Sequence, residues 1–214
     1  MDKTEVAKNN IIQAAASVVS EEGVQKATLR AIANRAGISV GALYYYYKTK
    51  DDLLYDLVNQ NTSESYVIAQ ELKSGSLKMD LPGEQTAGNI TSYIMEKARE
   101  RIEGFEDNKI FFYLAQEAIM GNEAMRKKII HKYALWDEAL EDIFVEISRL
   151  PKSLTTRAAA IIINAALDGF MLRSLLGVET DEKVEKELDS MGRLLLSADS
   201  EGLLLKLKDG KGDL

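Results

Sequence analysis

The chain has 214 residues, of which 46% are apolar and 29% are charged, a balance typical of a soluble globular protein. It contains no cysteine, which excludes disulfides, thiolate zinc sites and a cysteine nucleophile, and its single histidine excludes a histidine-rich metal site. The net charge of −7 is divided unevenly, with +3 on residues 1–50 and −10 on residues 51–214. This division indicates a small basic head that meets a negatively charged partner and an acidic body that does not.

The first 50 residues predict three short helices. Apolar residues recur at helical spacing over Asn9–Glu22, and Gly23 follows where a helix ends. Thr28 is a suitable N-cap for a second helix, Gly37 supplies the positive φ that ends it, and Ser39 caps a third helix two residues later. A helix, a three-residue turn that begins with glycine and a further short helix form the helix-turn-helix pattern.

The third helix has two different sides. Leu43 and either Tyr46 or Tyr47 are predicted to face the core. The other side is expected to carry Val40, Gly41, Ala42, Tyr44 and Tyr45. The N-terminal end of such a helix meets base edges in the DNA major groove, so small residues there would let the backbone approach. Tyrosine hydroxyls and the lysines Lys48 and Lys50 would hold phosphates, although core packing for the tyrosines and a solvated surface position for Lys48 stay open.

Residues 28–54, TLRAIANRAGISVGALYYYYKTKDDLL, resemble the signature of the TetR family of transcriptional regulators. The shared features are a threonine-opened helix, Ala-Gly-Ile-Ser, a glycine, Leu-Tyr with following aromatics, and a lysine before two acidic residues and Leu-Leu. The resemblance covers roughly residues 8–58, about a quarter of the chain. It implies DNA contacts, mostly at phosphates, by Thr28, Tyr44, Tyr45, Tyr46 and Lys50.

The chain departs from that signature at two positions of the third helix. Val40 stands where relatives often have a long polar residue, and Ala42 stands where threonine is frequent. Our hypothesis is that Val40, Ala42 and Tyr44 touch thymine methyls and that DNA shape supplies further specificity, with Arg30 adding a base or phosphate contact. The predicted DNA-binding residues are Thr28, Arg30, Ser39, Val40, Gly41, Ala42, Tyr44, Tyr45, Tyr46, Lys48 and Lys50.

The rest of the chain predicts further helices, and the whole is an all-α fold of about nine. Only two prolines occur, and no run of alternating β-branched residues predicts a strand. The further helices are expected at Lys50–Gln60 and beyond, Ile90–Glu103, Lys109–Met120, Glu123–Ile147, Leu154–Leu176 and Glu182–Leu196. Ser74–Asn89 is interpreted as a linker and Lys208–Leu214 as a frayed end. The polar N-terminus, together with Asn164 and Asp168 inside the most apolar stretch, favours a cytoplasmic protein without a membrane span.

The resemblance also implies how the body is used. Residues 1–50 would form the DNA-binding domain, with the helix-turn-helix at 28–47, and residues 51–214 an effector-binding and dimerisation domain. The helices near 154–176 and 182–196 would form a homodimer interface. A two-fold dimer places two recognition helices about 34–36 Å apart, so the expected operator is palindromic; whether two dimers share one operator stays open.

The effector site is less clearly marked. A cavity lined by aromatic residues and methionine with a few polar anchors would suit a mid-sized apolar molecule. The candidate residues are Tyr93, Tyr113, Gln116, Glu117, Trp136, Asn164 and Asp168. The alternative interpretation is that most of these are plain core. Asn164 and Asp168 need polar partners, which the ligand, the second protomer or a neighbouring helix could provide.

These features predict a ligand-responsive transcriptional regulator, a repressor released by its effector, with activation as the open alternative. A rival interpretation is an all-α enzyme, but the sequence has no glycine-rich phosphate loop, HExxH motif or nucleophile elbow. We therefore expect no catalytic residues, cofactor or metal. A second rival is a helix-turn-helix used for protein binding, which would favour an acidic recognition surface. No acidic residue lies between Gly23 and Lys50.

Overall fold

The computed structural model describes residues 3–61, 64–77, 87–148 and 151–196. Within these ranges the chain forms ten α-helices and no strand, which confirms the all-α prediction. The helices are α1 (Lys3–Glu22), α2 (Leu29–Arg35), α3 (Val40–Tyr46), α4 (Lys50–Asn61), α5 (Glu64–Ser74), α6 (Ala87–Glu103), α7 (Phe105–Ile119), α8 (Glu123–Ser148), α9 (Leu154–Leu175) and α10 (Glu182–Leu196).

The structure differs from the sequence-based prediction at four helices, α1, α5, α6 and α7, and the other predicted helix ends agree to within one residue. Helix α5 was not predicted, because its apolar side chains Ile68, Ala69 and Leu72 make too short a periodic run among polar residues. Helix α1 begins six residues before Asn9, in a stretch whose two apolar residues, Val6 and Ala7, set no helical period. Helices α6 and α7 also begin earlier than predicted, and α7 starts directly after Gly104.

The predicted linker is correspondingly shorter on its C-terminal side, since residues 87–89 are helical. Residues 78–86 of that linker and the predicted frayed end at 208–214 lie outside the described residues.

The helices form two compact units, and the first contains Met1–Ser63 and Glu106–His131. In it α1 packs on α2 and α4, and α2 packs on α3. Thr28 and Ser39 are the N-caps of α2 and α3, as predicted. Gly37 has a φ of 67°, and the amide of Ile38 donates to the carbonyl of Ala33 over 3.0 Å, so the turn between the two helices is closed tightly.

Apolar residues on one side of each helix form the core of the first unit. Burying a leucine or isoleucine in this way contributes about 1.5–3 kcal/mol per side chain. The largest fully buried members are Ile11, Val18, Val19, Ile32, Leu43, Leu53, Leu54, Leu114 and Met125. This core fixes which side of α3 faces outward.

The second unit contains Glu64–Phe105 and Lys132–Leu214. Its apolar cluster is centred on the buried Phe144 and Ile143, and α6 packs on both α9 and α10. The carboxylate of Asp142 pairs with Lys73 and with Lys152, which joins α5, α8 and the segment before α9. The division of the chain at residue 50 into two functional domains remains a prediction.

Helix α9 is the one described helix long and apolar enough to span a membrane by length and composition, with a mean hydropathy of 1.4 in its most apolar window. Its two sides differ. Ala160, Asn164 and Met171 are buried in the protein, whereas Ile161, Ile162 and Leu172 are exposed. A capping box on Ser153 and Thr156 begins the helix.

Candidate nucleic-acid interface

Helix α3 presents an exposed aromatic surface. Leu43 is fully buried, Tyr44 is 46% exposed and Tyr45 is 78% exposed. Tyr46 is half-buried, and its ring meets that of Tyr45 edge to face with 5.2 Å between the centroids. Tyr44 and Tyr45 are therefore exposed side chains with hydroxyl groups that can donate to a phosphate, and Tyr46 packs against the ring of Tyr45.

The N-terminal end of α3 is narrow. Gly41 and Ala42 are exposed and Val40 is half-buried. A Cβ atom added to Gly41 would meet nothing closer than the Ser39 hydroxyl at 3.9 Å. The fold therefore has room for a side chain at position 41, and the absence of one leaves the backbone open to close approach.

The hydroxyl groups of Thr28 and Ser39 cap α2 and α3 and can still donate a hydrogen bond. The hydroxyl oxygen of each accepts a 3.1 Å hydrogen bond, from the amides of Ala31 and Ala42 respectively. A hydroxyl that accepts still has its own hydrogen to donate, so both can also contact a phosphate. Arg30 is exposed in the first turn of α2.

The two predicted lysine contacts lie in different settings. Lys48 is exposed, and its ammonium donates to the carbonyl of Tyr44 over 2.8 Å. Lys50 is half-buried: its ammonium donates to the carbonyl of Val24 over 3.2 Å and lies 4.8 Å from the centroid of the Tyr113 ring. An ammonium has three donors, so both lysines retain hydrogens for a phosphate.

An ion pair between α1 and α2 balances the charge of an acidic residue in the first unit. Arg35, at the end of α2, pairs with Glu21 on α1 over 2.5 Å and also contacts Ser17. Hydrogen bonds from Arg35 and Ser17 lower the pKa of Glu21 to about 2. This acidic group is therefore neutralised by a partner on the protein and adds little repulsion toward a polyanion.

Two of the predicted effector residues gather around Tyr133 in the second unit. The Tyr133 hydroxyl donates a 2.5 Å hydrogen bond to Asp168, and its ring meets Trp136 edge to face at 5.5 Å. The guanidinium of Arg101 lies 4.2 Å from the Trp136 ring and 3.8 Å from Oδ1 of Asp168. Oδ1 of Asp168 is buried and has no hydrogen-bond partner among the described residues.

Burial dominates the electrostatics of this cluster. It raises the pKa of Asp168, which the Tyr133 hydrogen bond and the charge of Arg101 oppose, and it lowers the pKa of Arg101. Lys132, whose ammonium lies 4.9 Å from the Trp136 ring, has its pKa lowered to about 8 by burial and by the charge of Arg101. Charged groups are costly in such buried surroundings unless they are paired.

The other predicted effector residues lie elsewhere. Asn164 is buried and donates to Asp137 on α8 over 2.8 Å, so Asn164, like Asp168, has found its partner on a neighbouring helix. Tyr93 packs against the apolar cluster around Phe144. The remaining three candidates, Tyr113, Gln116 and Glu117, belong to α7 in the first unit.

Sequence reasoning missed Arg101 and Lys132 as members of this cluster. A signal existed for Lys132, because Ile129, Lys132, Tyr133 and Trp136 follow the i, i+3, i+4, i+7 spacing of one helix face. A lysine on an otherwise apolar face is a candidate for burial. Arg101 carried no comparable signal.

Comparison with known proteins places these observations in a family context. Residues 11–57 match the family model described as bacterial regulatory proteins, tetR family. The chain is 26% identical to the HTH-type transcriptional regulator AcrR of Shigella flexneri over 88% of this chain and 87% of that protein. It is 24% identical to the fatty acid metabolism regulator protein of Bacillus subtilis over 74% of this chain and 78% of that protein.

Solved structures share the fold. A putative TetR-family transcriptional regulator from a Rhodococcus species superposes with a TM-score of 0.65 at 22% identity, covering 89% of this chain and 98% of that one. NalD of Pseudomonas aeruginosa, described as the secondary repressor of the MexAB-OprM multidrug efflux pump, gives a TM-score of 0.55 at 18% identity, covering 90% and 96%. The similarity therefore extends well beyond the matched N-terminal segment.

Proposed function

We propose that this chain, which belongs to the TetR family of transcriptional regulators, is a cytoplasmic repressor that leaves a palindromic operator when a small molecule binds its body. Members of this family are DNA-binding regulators and not enzymes, so the enzyme alternative is set aside. The observation that carries the proposal is the outward side of α3. This side combines a narrow N-terminal end with exposed tyrosines. The segment around it has no acidic residue between positions 23 and 50.

On this proposal α3 enters the major groove with Gly41 and Ala42 nearest the bases. Val40, Ala42 and the Tyr44 ring contact thymine methyls, because α3 offers few hydrogen-bonding groups at this end. The hydroxyl groups of Thr28, Ser39, Tyr44 and Tyr45 contact phosphates around it, and the cations Arg30, Lys48 and Lys50 do the same. The expected operator is therefore rich in A·T pairs at the contacted positions.

Exposed apolar stripes support a homodimer through α9 and α10. On α10 the residues Val184, Leu188 and Met191 follow i, i+4, i+7 spacing and are all exposed on the protomer. On α9 the exposed apolar residues include Leu154, Ile161, Ile162 and Leu172, and the exposed Leu176 follows as the C-cap of the helix. Contiguous apolar patches of this kind mark interfaces, and a second copy of the same two helices is their proposed occupant.

The proposed effector site surrounds Trp136 and Asp168. Rings of Trp136 and Tyr133 supply apolar contact, and Oδ1 of Asp168, which accepts no hydrogen bond from the described residues, supplies a polar anchor for a mid-sized, mainly apolar molecule. Such a molecule releases DNA if it binds a second conformation of the body more tightly than the DNA-binding one. Trp136 is the single tryptophan of the chain, so binding beside it changes the intrinsic fluorescence directly.

A reporter assay tests the direction of regulation. A duplex selected by the protein is placed between a promoter and a reporter gene, and expression is measured with and without the regulator. The proposal predicts lower expression with the regulator and recovery with a compound that quenches Trp136. Higher expression with the regulator would identify an activator. Equal expression, with DNA binding intact, would contradict transcriptional control from this site.

A further inference from the structure

The first turn of α4 carries two carboxylates that accept hydrogen bonds from residues of α7, of α8 and of the turn between them. Oδ1 of Asp51 accepts a hydrogen bond from the Tyr113 hydroxyl over 3.4 Å, and Oδ2 accepts one from the side-chain nitrogen Nδ2 of Asn122 over 3.1 Å. Oδ1 of Asp52 accepts from the ammonium of Lys128 over 2.5 Å. These five residues all lie in the first unit, although 62 to 76 positions separate the partners along the chain.

The donors are themselves held in place. Asn122 precedes α8, and its side-chain oxygen accepts from the amide of Met125 over 3.0 Å, so its amide nitrogen is aimed at Asp51 by a cap interaction. The ammonium of Lys128 lies 4.9 Å from the Tyr55 ring, and the Tyr55 hydroxyl contacts the carbonyl of Lys128. The contacts to α4 are therefore specific and do not depend on a single flexible side chain.

These two carboxylates present an electrostatic problem for DNA binding. They directly follow Lys50, one of the proposed phosphate contacts, and a free carboxylate there would repel the DNA backbone. Burial alone would raise the pKa of Asp52, but hydrogen bonds from Lys128 and Thr49 hold it below its usual value, so Asp52 stays ionised. Its charge must be compensated on the protein if a phosphate is to approach α4.

We propose that Tyr113, Asn122 and Lys128 are positioning residues for DNA binding, which hold the carboxylates of Asp51 and Asp52 on α7 and α8 and away from the phosphate beside Lys50. This inference rests on the proposed function of the head. It assigns residues far along the chain, outside the matched segment 11–57, to the DNA-binding apparatus. It also makes the orientation of α7 and the start of α8 a determinant of operator affinity.

A charge-matched pair of variants tests the proposal in the full-length dimer. Lys128→Met removes the partner of Asp52, and Lys127→Met removes the same charge from the exposed neighbouring residue. Affinity is measured by fluorescence anisotropy on a duplex that the unaltered protein selects from a random pool. We expect Lys128→Met to weaken binding about fivefold more than Lys127→Met. This factor corresponds to the upper end of the free energies that exposed ion pairs contribute.

Rescue separates positioning from structural damage. Adding Asp52→Asn to Lys128→Met should restore affinity to within about twofold of Lys127→Met, whereas adding Glu22→Gln, an exposed acid on α1, should not. Asn122→Ser supplies a second, uncharged variant, because serine keeps the cap of α8 but loses the donor to Asp51. It should weaken binding by about twofold to threefold with little change in melting temperature.

The outcomes distinguish this inference from the proposed function. If the unaltered protein binds its selected duplex but Lys128→Met and Lys127→Met are equally affected, the positioning role is wrong and the proposed function stands. Rescue by Glu22→Gln as complete as by Asp52→Asn would also overturn it, because the effect would then be one of net charge. If the unaltered protein selects no duplex, the proposed function fails and this inference fails with it.

Discussion

The hydroxyl of Tyr47 donates a 3.2 Å hydrogen bond to Oδ2 of Asp56, while Tyr44, three residues earlier, is 46% exposed. Tyr47 is 3% exposed, and burial together with the charge of Asp56 raises the pKa of its phenol. The run of four tyrosines thus contains a core residue that joins α3 to α4 and an outward residue available to DNA.

This difference predicts opposite effects for the same substitution at the two positions. Tyr44→Phe should weaken DNA binding by up to about tenfold, because it removes one hydrogen bond to a charged phosphate, and it should leave stability unchanged. Tyr47→Phe should lower the free energy of unfolding by about 1 kcal/mol and leave DNA affinity nearly unchanged. Anisotropy and urea unfolding measure the two quantities. A loss of affinity in Tyr47→Phe alone would reverse the assignment.

Gly41→Ala should raise the stability of the protein and weaken its binding to DNA. The position is helical with open space around it, so alanine should raise the free energy of unfolding by up to about 1 kcal/mol. The added methyl should clash with DNA and weaken binding by about tenfold or more. Gly88→Ala is the matched control, because Gly88 is also the second residue of its helix and has nothing within 4 Å. Unaltered affinity in Gly41→Ala would mean that α3 does not approach the bases closely.

Ile162→Lys should dissociate the proposed dimer. Ile162 is 66% exposed on α9, and burying an unpaired ammonium in an interface should weaken dimerisation by at least about a hundredfold. Ile130→Lys, at a residue 58% exposed on α8, places the same charge outside the proposed interface and should leave the dimer intact. Sedimentation velocity at micromolar protein reports the oligomeric state. A dimer that survives Ile162→Lys but not Ile130→Lys would place the interface elsewhere.

Lys132 should make stability depend on pH. Its pKa is about 8 in the folded protein against 10.5 as the reference value, so between these values the unfolded chain binds more protons than the folded one. The free energy of unfolding should therefore rise with pH from 7.5 to 9, by at most about 1.4 kcal/mol per pH unit. Lys132→Met should remove this part of the rise, and Lys127→Met should retain it. Urea unfolding at fixed protein concentration measures both, and identical slopes in all three proteins would refute the assignment.

The helix-turn-helix was predictable because its determinants are local. Thr28, Gly37 and Ser39 act within one turn of their own positions, and a contiguous segment carries the family resemblance. The need of Asn164 and Asp168 for partners was also predictable from their apolar surroundings. Their actual partners, Asp137 and Tyr133, were not, because nothing in one sequence states which faces of two helices meet.

Contacts between residues far apart in the sequence were not predictable for the same reason. The contacts of Asp51 and Asp52 with Asn122 and Lys128 join residues about 70 positions apart, and each of these residues alone is a common surface type. Arg101 lies against Trp136 through the packing of α6 on its neighbours, which no periodicity encodes. The roles assigned to individual DNA-contacting and effector-contacting residues remain predictions.

Selection from a random duplex pool shows whether the protein reads a palindromic operator as a dimer. The full-length protein is incubated with the pool at about 150 mM salt, where weak non-specific binding is suppressed, and the recovered duplexes are sequenced. We expect a palindrome whose half-sites lie about one helical turn apart and contain A·T pairs at the positions that α3 contacts. A well-folded dimer that enriches no sequence at all would contradict this expectation.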